Sequence, residues 1–277
     1  MKKSWCFLLF FLLIFNIVYA HEGEENEIHF EDDKSFELED QYRSSSVLYV
    51  VAASIIILCT ILFSLFHKKN DNMLKWVLFL IIAINTLLVT FYVAGSTIYL
   101  NVISETKGPV HWHADFEVWN CGEKLDLIDP TGFSNRVGTS VFHEHGDDRI
   151  HVEGVLNRKE DARLSNFLRV SGGLLSEKYM VIPTNVGYFK LENGNFCNGE
   201  EGKLQVFLYK VVNAEESENL IYHQEKLTDF EDYILSPQSL VPPGDCIIIE
   251  FDKEKRETDK ICETYKVAIE NGELNGS

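Results

Sequence analysis

Unbroken apolar runs occupy the first hundred residues, and alternating or broken patterns occupy the rest. Residues 1–20, MKKSWCFLLFFLLIFNIVYA, open with Lys2 and Lys3, continue as an apolar stretch from Cys6, and end on Val18-Tyr19-Ala20. That is the layout of a secretory signal peptide with a small-residue cleavage pattern; the competing reading is an uncleaved anchor. Residues 46–66 and 76–100 contain no charge at all. Each run is long enough to cross about 30 Å of hydrocarbon as a helix, so a transmembrane hairpin is predicted. The connection at 67–75 carries Lys68, Lys69 and Lys75 against Asp71, and a short lysine-rich loop is retained on the cytoplasmic side. The hairpin therefore leaves residues 21–45 and everything from 101 onward extracytoplasmic, in agreement with the leader. The expected localisation is the cell membrane, multi-pass.

After residue 101 the pattern changes to alternation punctuated by turn residues. HWHADFEVW at 111–119, the turn Asn120-Cys121-Gly122 and the alternating stretch 124–128 predict a β-hairpin. A second hairpin is predicted over 139–156, turning at Gly146-Asp147-Asp148. Leu164, Phe167 and Leu168 stand at helical spacing before Gly172-Gly173, which predicts a short helix over 161–170. Strands are predicted at 179–183, 187–191, 204–212 and 246–251, and a second short helix at 227–235. These elements sum to an α+β domain of predominantly antiparallel sheet, arranged like a β-grasp.

The balance of 25 Lys and Arg against 43 Asp and Glu, a net of −18, excludes nucleic acid and anionic lipid headgroups as partners, because both would be repelled. Residues 21–43 hold ten acidic residues against Lys34 and Arg43, without apolar periodicity, and read as a solvated tail. Residues 101–277 form the folded domain, long enough to bury a core. Of six cysteines, Cys6 lies in the leader and Cys59 in the first span, which leaves Cys121, Cys197, Cys246 and Cys262 outside. An even number in an oxidising compartment predicts disulfides. Cys246 with Cys262 and Cys121 with Cys197 is the favoured one of three pairings. A four-thiolate metal site is the alternative, weakened by the lack of a CxxC pair.

Five of nine histidines fall at His111, His113, His143, His145 and His151. Residues i and i+2 of a strand share a face, so each HxH presents two imidazoles side by side. An odd-numbered hairpin loop pairs His151 with His143 or His145 and keeps all three on one face; an even-numbered loop turns His151 away. Imidazoles with carboxylates nearby (Asp115, Glu144, Asp147, Asp148, Glu153) suit Zn2+ or Cu2+ as the cofactor. None of the three methionines stands beside them, against a thioether Cu(I) carrier. Cleavage after Ala20 would leave His21 as an N-terminal Cu(II) chelator, but His21 and His29 read equally as solvated tail residues.

The wording HWHADFEVW, FSNRVGTSVFHEHGDDRIHVEGV and VPPGDCIIIEF resembles an uncharacterised archaeal membrane-anchored family with HWHADF and HEH…RIHxEG histidine motifs. Looser relatives with HAH and HTHD…IHVE motifs are soluble or secreted. The resemblance covers most of residues 109–265 and implies an outward-facing domain in which the five histidines form one unit. It implies no reaction.

Three functions are compatible with these features. The first is a membrane-anchored extracytoplasmic metal-binding protein with His143, His145, His151 and His113 as principal ligands and His111 next. The second is a metal-dependent hydrolase with an open three-histidine site and Glu144 as general base. No HExxH, GxSxG or Walker signature supports an enzyme. The third is a surface interaction protein whose histidines form a polar network without metal. The spans carry Asn85, Ser and Thr but no charge, which fits an anchor rather than a conduction path.

Overall fold

A computed structural model of the chain describes residues 37–67, 71–132, 135–216, 219–236 and 244–276. The expected leader at 1–20, most of the acidic tail, and His21 and His29 lie outside these residues.

Helices α1 (Glu37–Phe66) and α2 (Asn72–Ile103) are both long and apolar enough to cross a membrane. Helix α1 begins inside the stretch expected as solvated tail. Glu37, Leu38, Glu39, Gln41 and Arg43 are good helix formers with no breaker among them, and Arg43 pairs with Asp40 at 3.1 Å one turn away. Asp71 caps α2 by accepting from the Met73 amide. The two helices are joined across their facing sides by Asn85, whose Nδ2 donates to the Ala53 carbonyl at 3.0 Å, and by the edge-on pair Tyr49 and Tyr92. Hydroxyls along these helices bond back to their own backbone, Ser54 to Val50 and Thr86 to Ile82, which satisfies them without water.

The outer domain is built on one mixed sheet of nine strands. Its members are β1 (Pro109–Asn120), β2 (Glu123–Lys124), β3 (Val137–Gly138), β4 (Phe142–Glu144), β5 (Arg149–Val155), β11 (Lys203–Val211), β12 (Leu220–Leu227), β13 (Asp245–Asp252) and β14 (Leu274–Gly276). Their order is β14-β12-β11-β13-β1-β5-β4-β3, with β2 on β1. Pairing is antiparallel except for β1 with β13 and β12 with β14. The predicted turn at Cys121-Gly122 joins β1 to β2, with φ of +53° and +87°, the left-handed pair a two-residue hairpin demands. Strands β6 (Leu174–Leu175), β7 (Tyr179–Thr184) and β8 (Gly187–Glu192) form a second small sheet, and β9 (Phe196–Cys197) pairs with β10 (Glu200–Glu201).

The large sheet is covered on both faces at its centre, which explains the unbroken run Ile247-Ile248-Ile249 in β13. On one face Ala114, Phe116, Phe142, Ile150, Val152 and Ile249 pack with Phe167 and Leu168 of α3 (Leu164–Val170). On the other face Phe207, Tyr209 and Ile248 pack with Tyr265 and Ala268 of α4 (Glu263–Glu270). The disulfides are Cys121–Cys197 and Cys246–Cys262, as favoured from the sequence.

The second helix is not at 227–235. That stretch holds the end of β12 and a single 3-10 turn, Phe230–Asp232. Exposure in β12 alternates with period two, Ile221, His223 and Glu225 facing outward, because β12 lies on the β11 edge with one side wet. The helix that covers this face is α4, drawn from the charged segment near the C-terminus.

Candidate metal centre

Three adjacent strands bring the histidines together. In the β1–β5 register His113 stands opposite His151, and in the β4–β5 register His143 stands opposite the same His151. The turn between β4 and β5 centres on Asp147, with Gly146 at φ +75° and Asp148 at φ +56°. It is therefore the odd-numbered hairpin, and His143, His151 and His113 form one row across the sheet. His111, opposite Glu153, continues the row one step along β1, and His145 follows β4. Trp112, Ala114, Phe142, Ile150 and Val152, which alternate with these residues, belong to the core on the opposite face. The hydrophobic positions of β1, β4 and β5 thus fix which way the histidines point.

The side chains gather into two groups that share His151: His111, His113, His151 and Glu153, and His143, His145 and His151. In each group one ligating atom per residue lies within 4.8 Å of every other. Ligands on a tetrahedral Zn2+ with bonds of about 2.0–2.1 Å stand about 3.3 Å apart, so small ring rotations would close either shell. His111 Nε2 meets His113 Nε2 at 2.9 Å and Glu153 Oε1 at 3.3 Å. The His143 ring stacks on His151 with centroids 5.5 Å apart, and His145 meets His151 edge-on at 4.9 Å. His145 Nδ1 bonds the Asn135 carbonyl, which orients that ring from the loop before β3.

Several ring nitrogens are buried without a hydrogen bond: His143 Nδ1 and both nitrogens of His151. Asp147 Oδ2 lies 3.5 Å from His151 Nε2, close enough for charge attraction but outside hydrogen-bond geometry. Burial, reinforced by the neighbouring imidazoles, lowers His113 and His143 to about 4 and also lowers His151. Near neutral pH these rings are uncharged, and a neutral imidazole offers the lone pair that a metal requires.

Asp115 and Arg149 stand opposite each other in the next row, paired at 2.7 Å, and Thr264 of α4 donates to Asp115. Burial raises the Asp115 carboxyl to about 6 against the pull of Arg149. This bracing of the histidine strands by α4 was not legible in the sequence, since it spans 149 positions. Asp148 is held by Lys124 at 2.7 Å, a turn and strand anchor rather than a ligand. Glu144 does not fit the role of general base. It lies between His143 and His145 in sequence, so its side chain turns to the other face, where Phe116, Phe167 and Ile182 surround it. Its carboxylate instead accepts from the Gly146 amide. Glu153 and Asp147 are the carboxylates beside the imidazoles. His223 sits on β12, remote in strand order from β5. No family model, curated protein or solved structure matches the chain.

Proposed function

We propose that this chain is a membrane-anchored extracytoplasmic protein that binds Zn2+ or Cu2+ through His111, His113, His143, His145 and His151. The observation that carries this reading is the row His143, His151, His113 across three hydrogen-bonded strands, with buried ring nitrogens left unpaired. A polar network without metal would leave those nitrogens at a cost of about 1–3 kcal/mol each, whereas a metal satisfies them. The motifs resemble those of archaeal membrane-anchored proteins that carry HWHADF and HEH…RIHxEG, which agrees with this reading, and the order β5-β1-β13-β11 with α3 on one face supports a β-grasp-like core. The lysines of the 67–75 loop and the two disulfides support a domain outside the membrane.

The test is metal content by mass spectrometry on the full chain purified in detergent, compared with His113→Ala/His143→Ala. Stoichiometric zinc or copper that is lost in the variant is expected. No metal in either protein, with a thermal midpoint unmoved by chelator or by added zinc or copper, would overturn the reading.

A further inference from the structure

We infer that the centre is binuclear, with the His151 ring bridging two metal ions. The inference rests on the metal-binding reading above and concerns how that site is divided. His151 belongs to both ligand groups, and its two nitrogens face opposite ways. Nδ1 lies 3.9 Å from Glu153 Oε1, on the side of His111 and His113. Nε2 lies 3.5 Å from Asp147 Oδ2, on the turn that follows His145. Both nitrogens are buried and neither makes a hydrogen bond.

A histidine that binds one metal ordinarily donates its other ring N–H to a carboxylate, carbonyl or water, which fixes the tautomer. His151 has a carboxylate near each nitrogen, Asp147 at 3.5 Å and Glu153 at 3.9 Å, but neither stands at the short distance of a fixed donor contact. Each flank also carries its own ligand set. One offers two imidazoles and the Glu153 carboxylate; the other offers two imidazoles, one oriented by the Asn135 carbonyl, with Asp147 beside them. A single ion at one flank would leave the other flank's imidazoles packed against each other without a centre.

The second ion displaces the remaining ring proton of His151, which leaves to solvent, and each nitrogen then donates one electron pair to one metal. The proton is exchanged directly for the second ion, so the ring's two electron pairs are both used. With bonds of about 2.0–2.1 Å on opposite sides of one ring, the ions would stand about 6 Å apart. That spacing suits imidazole-rich sites for Zn2+ or Cu2+, and the central position of β5 explains why the bridging residue lies there: β5 alone has a histidine-bearing strand on each side.

The test uses the full chain in detergent, dialysed against Zn2+ or Cu2+, with metal per chain measured by mass spectrometry and the copper-loaded sample examined by electron paramagnetic resonance. About two equivalents per chain are expected, falling to about one in His111→Ala/Glu153→Ala and to about one in His143→Ala/His145→Ala. His151→Ala is expected to weaken both positions together. Two Cu2+ ions joined through one imidazolate lose most of their resonance intensity by spin coupling, and His151→Ala should restore the signal of isolated ions. One equivalent in the wild type, or two with the spectrum of isolated Cu2+, overturns the bridge and leaves metal binding intact. No bound zinc or copper overturns both. The two flank variants keep the stoichiometric test decisive even if His151→Ala does not fold.

Discussion

The chemistry of individual side chains here follows from which face of a strand they occupy. His143 and Glu144 are neighbours in sequence, yet one joins an imidazole row and the other enters an apolar layer beside Phe116 and Phe167. Asp245 shows the energetic side of such placement. Its Oδ2 accepts from the Tyr233 hydroxyl at 2.7 Å and the Ser236 amide at 2.9 Å, and burial raises its carboxyl above the usual range. A carboxyl whose folded-state pKa is raised favours folding most below its unfolded value of about 3.9, and that stability is lost as pH rises through the folded value. Asp245→Asn keeps an oxygen for both donors and removes the titration. The variant should therefore gain in melting temperature relative to the wild type between pH 4 and pH 7. A difference that stays constant with pH, followed by circular dichroism, would show that Asp245 does not titrate in this range.

At the scale of elements, the site depends on short strands held by tight turns. Strand β3 pairs Gly138 with His143, and Gly138 has φ +109° with its missing Cβ only 2.5 Å from the Phe142 carbonyl. Gly138→Ala would combine left-handed strain with that clash and should cost about 1–3 kcal/mol. On the proposed metal reading, a metal held by His143 and His145 should be released more readily than one held by His111 and His113, as read by chelator competition. Equal retention at the two flanks would mean that β3 does not position β4. The Cys246–Cys262 disulfide ties the start of β13 to the residue that caps the start of α4, across 16 positions. On loop-closure grounds its removal as Cys246→Ser/Cys262→Ser should cost about 3 kcal/mol. An unchanged denaturant midpoint would argue that α4 is held by Tyr265 and its neighbours alone. That helix was missed in the sequence because Glu263, Lys266 and Glu270 interrupt a short apolar stripe, and period-two β12 was missed because Leu227 and Phe230 also fit a helical spacing.

For the whole molecule, the two apolar helices and the disulfide-bearing domain predict an orientation that labelling can check. Val186 is 99% exposed at the β7–β8 turn, and Asp71 lies at the other end of α2 from the domain. A membrane-impermeant thiol reagent applied to intact cells should modify Val186→Cys and leave Asp71→Cys unreacted until the membrane is opened. The reverse pattern would place the histidine centre in the cytoplasm.

The amino-acid order alone sufficed for the two long apolar helices, the β4–β5 hairpin and the clustering of five histidines, and it favoured the observed disulfide partners among three pairings. The helices and the hairpin depend on residues close in the chain or on a hydrophobic pattern that has few alternative solutions, whereas the count of four outer cysteines predicts disulfides and leaves three pairings for the fold to choose among. Long-range pairing supplied the rest. The parallel contact of β1 with β13 and the bond from Thr264 of α4 to Asp115 join segments more than a hundred positions apart, and the covering of one sheet face by α4 and the pair Asp115–Arg149 also join separate elements. Local propensity carries no information about such contacts, because they are selected by burial of both faces at once. The pairing of β1 with β5 set His113 on one side of His151, the β4–β5 hairpin set His143 on the other, and together they brought the two HxH pairs around one histidine.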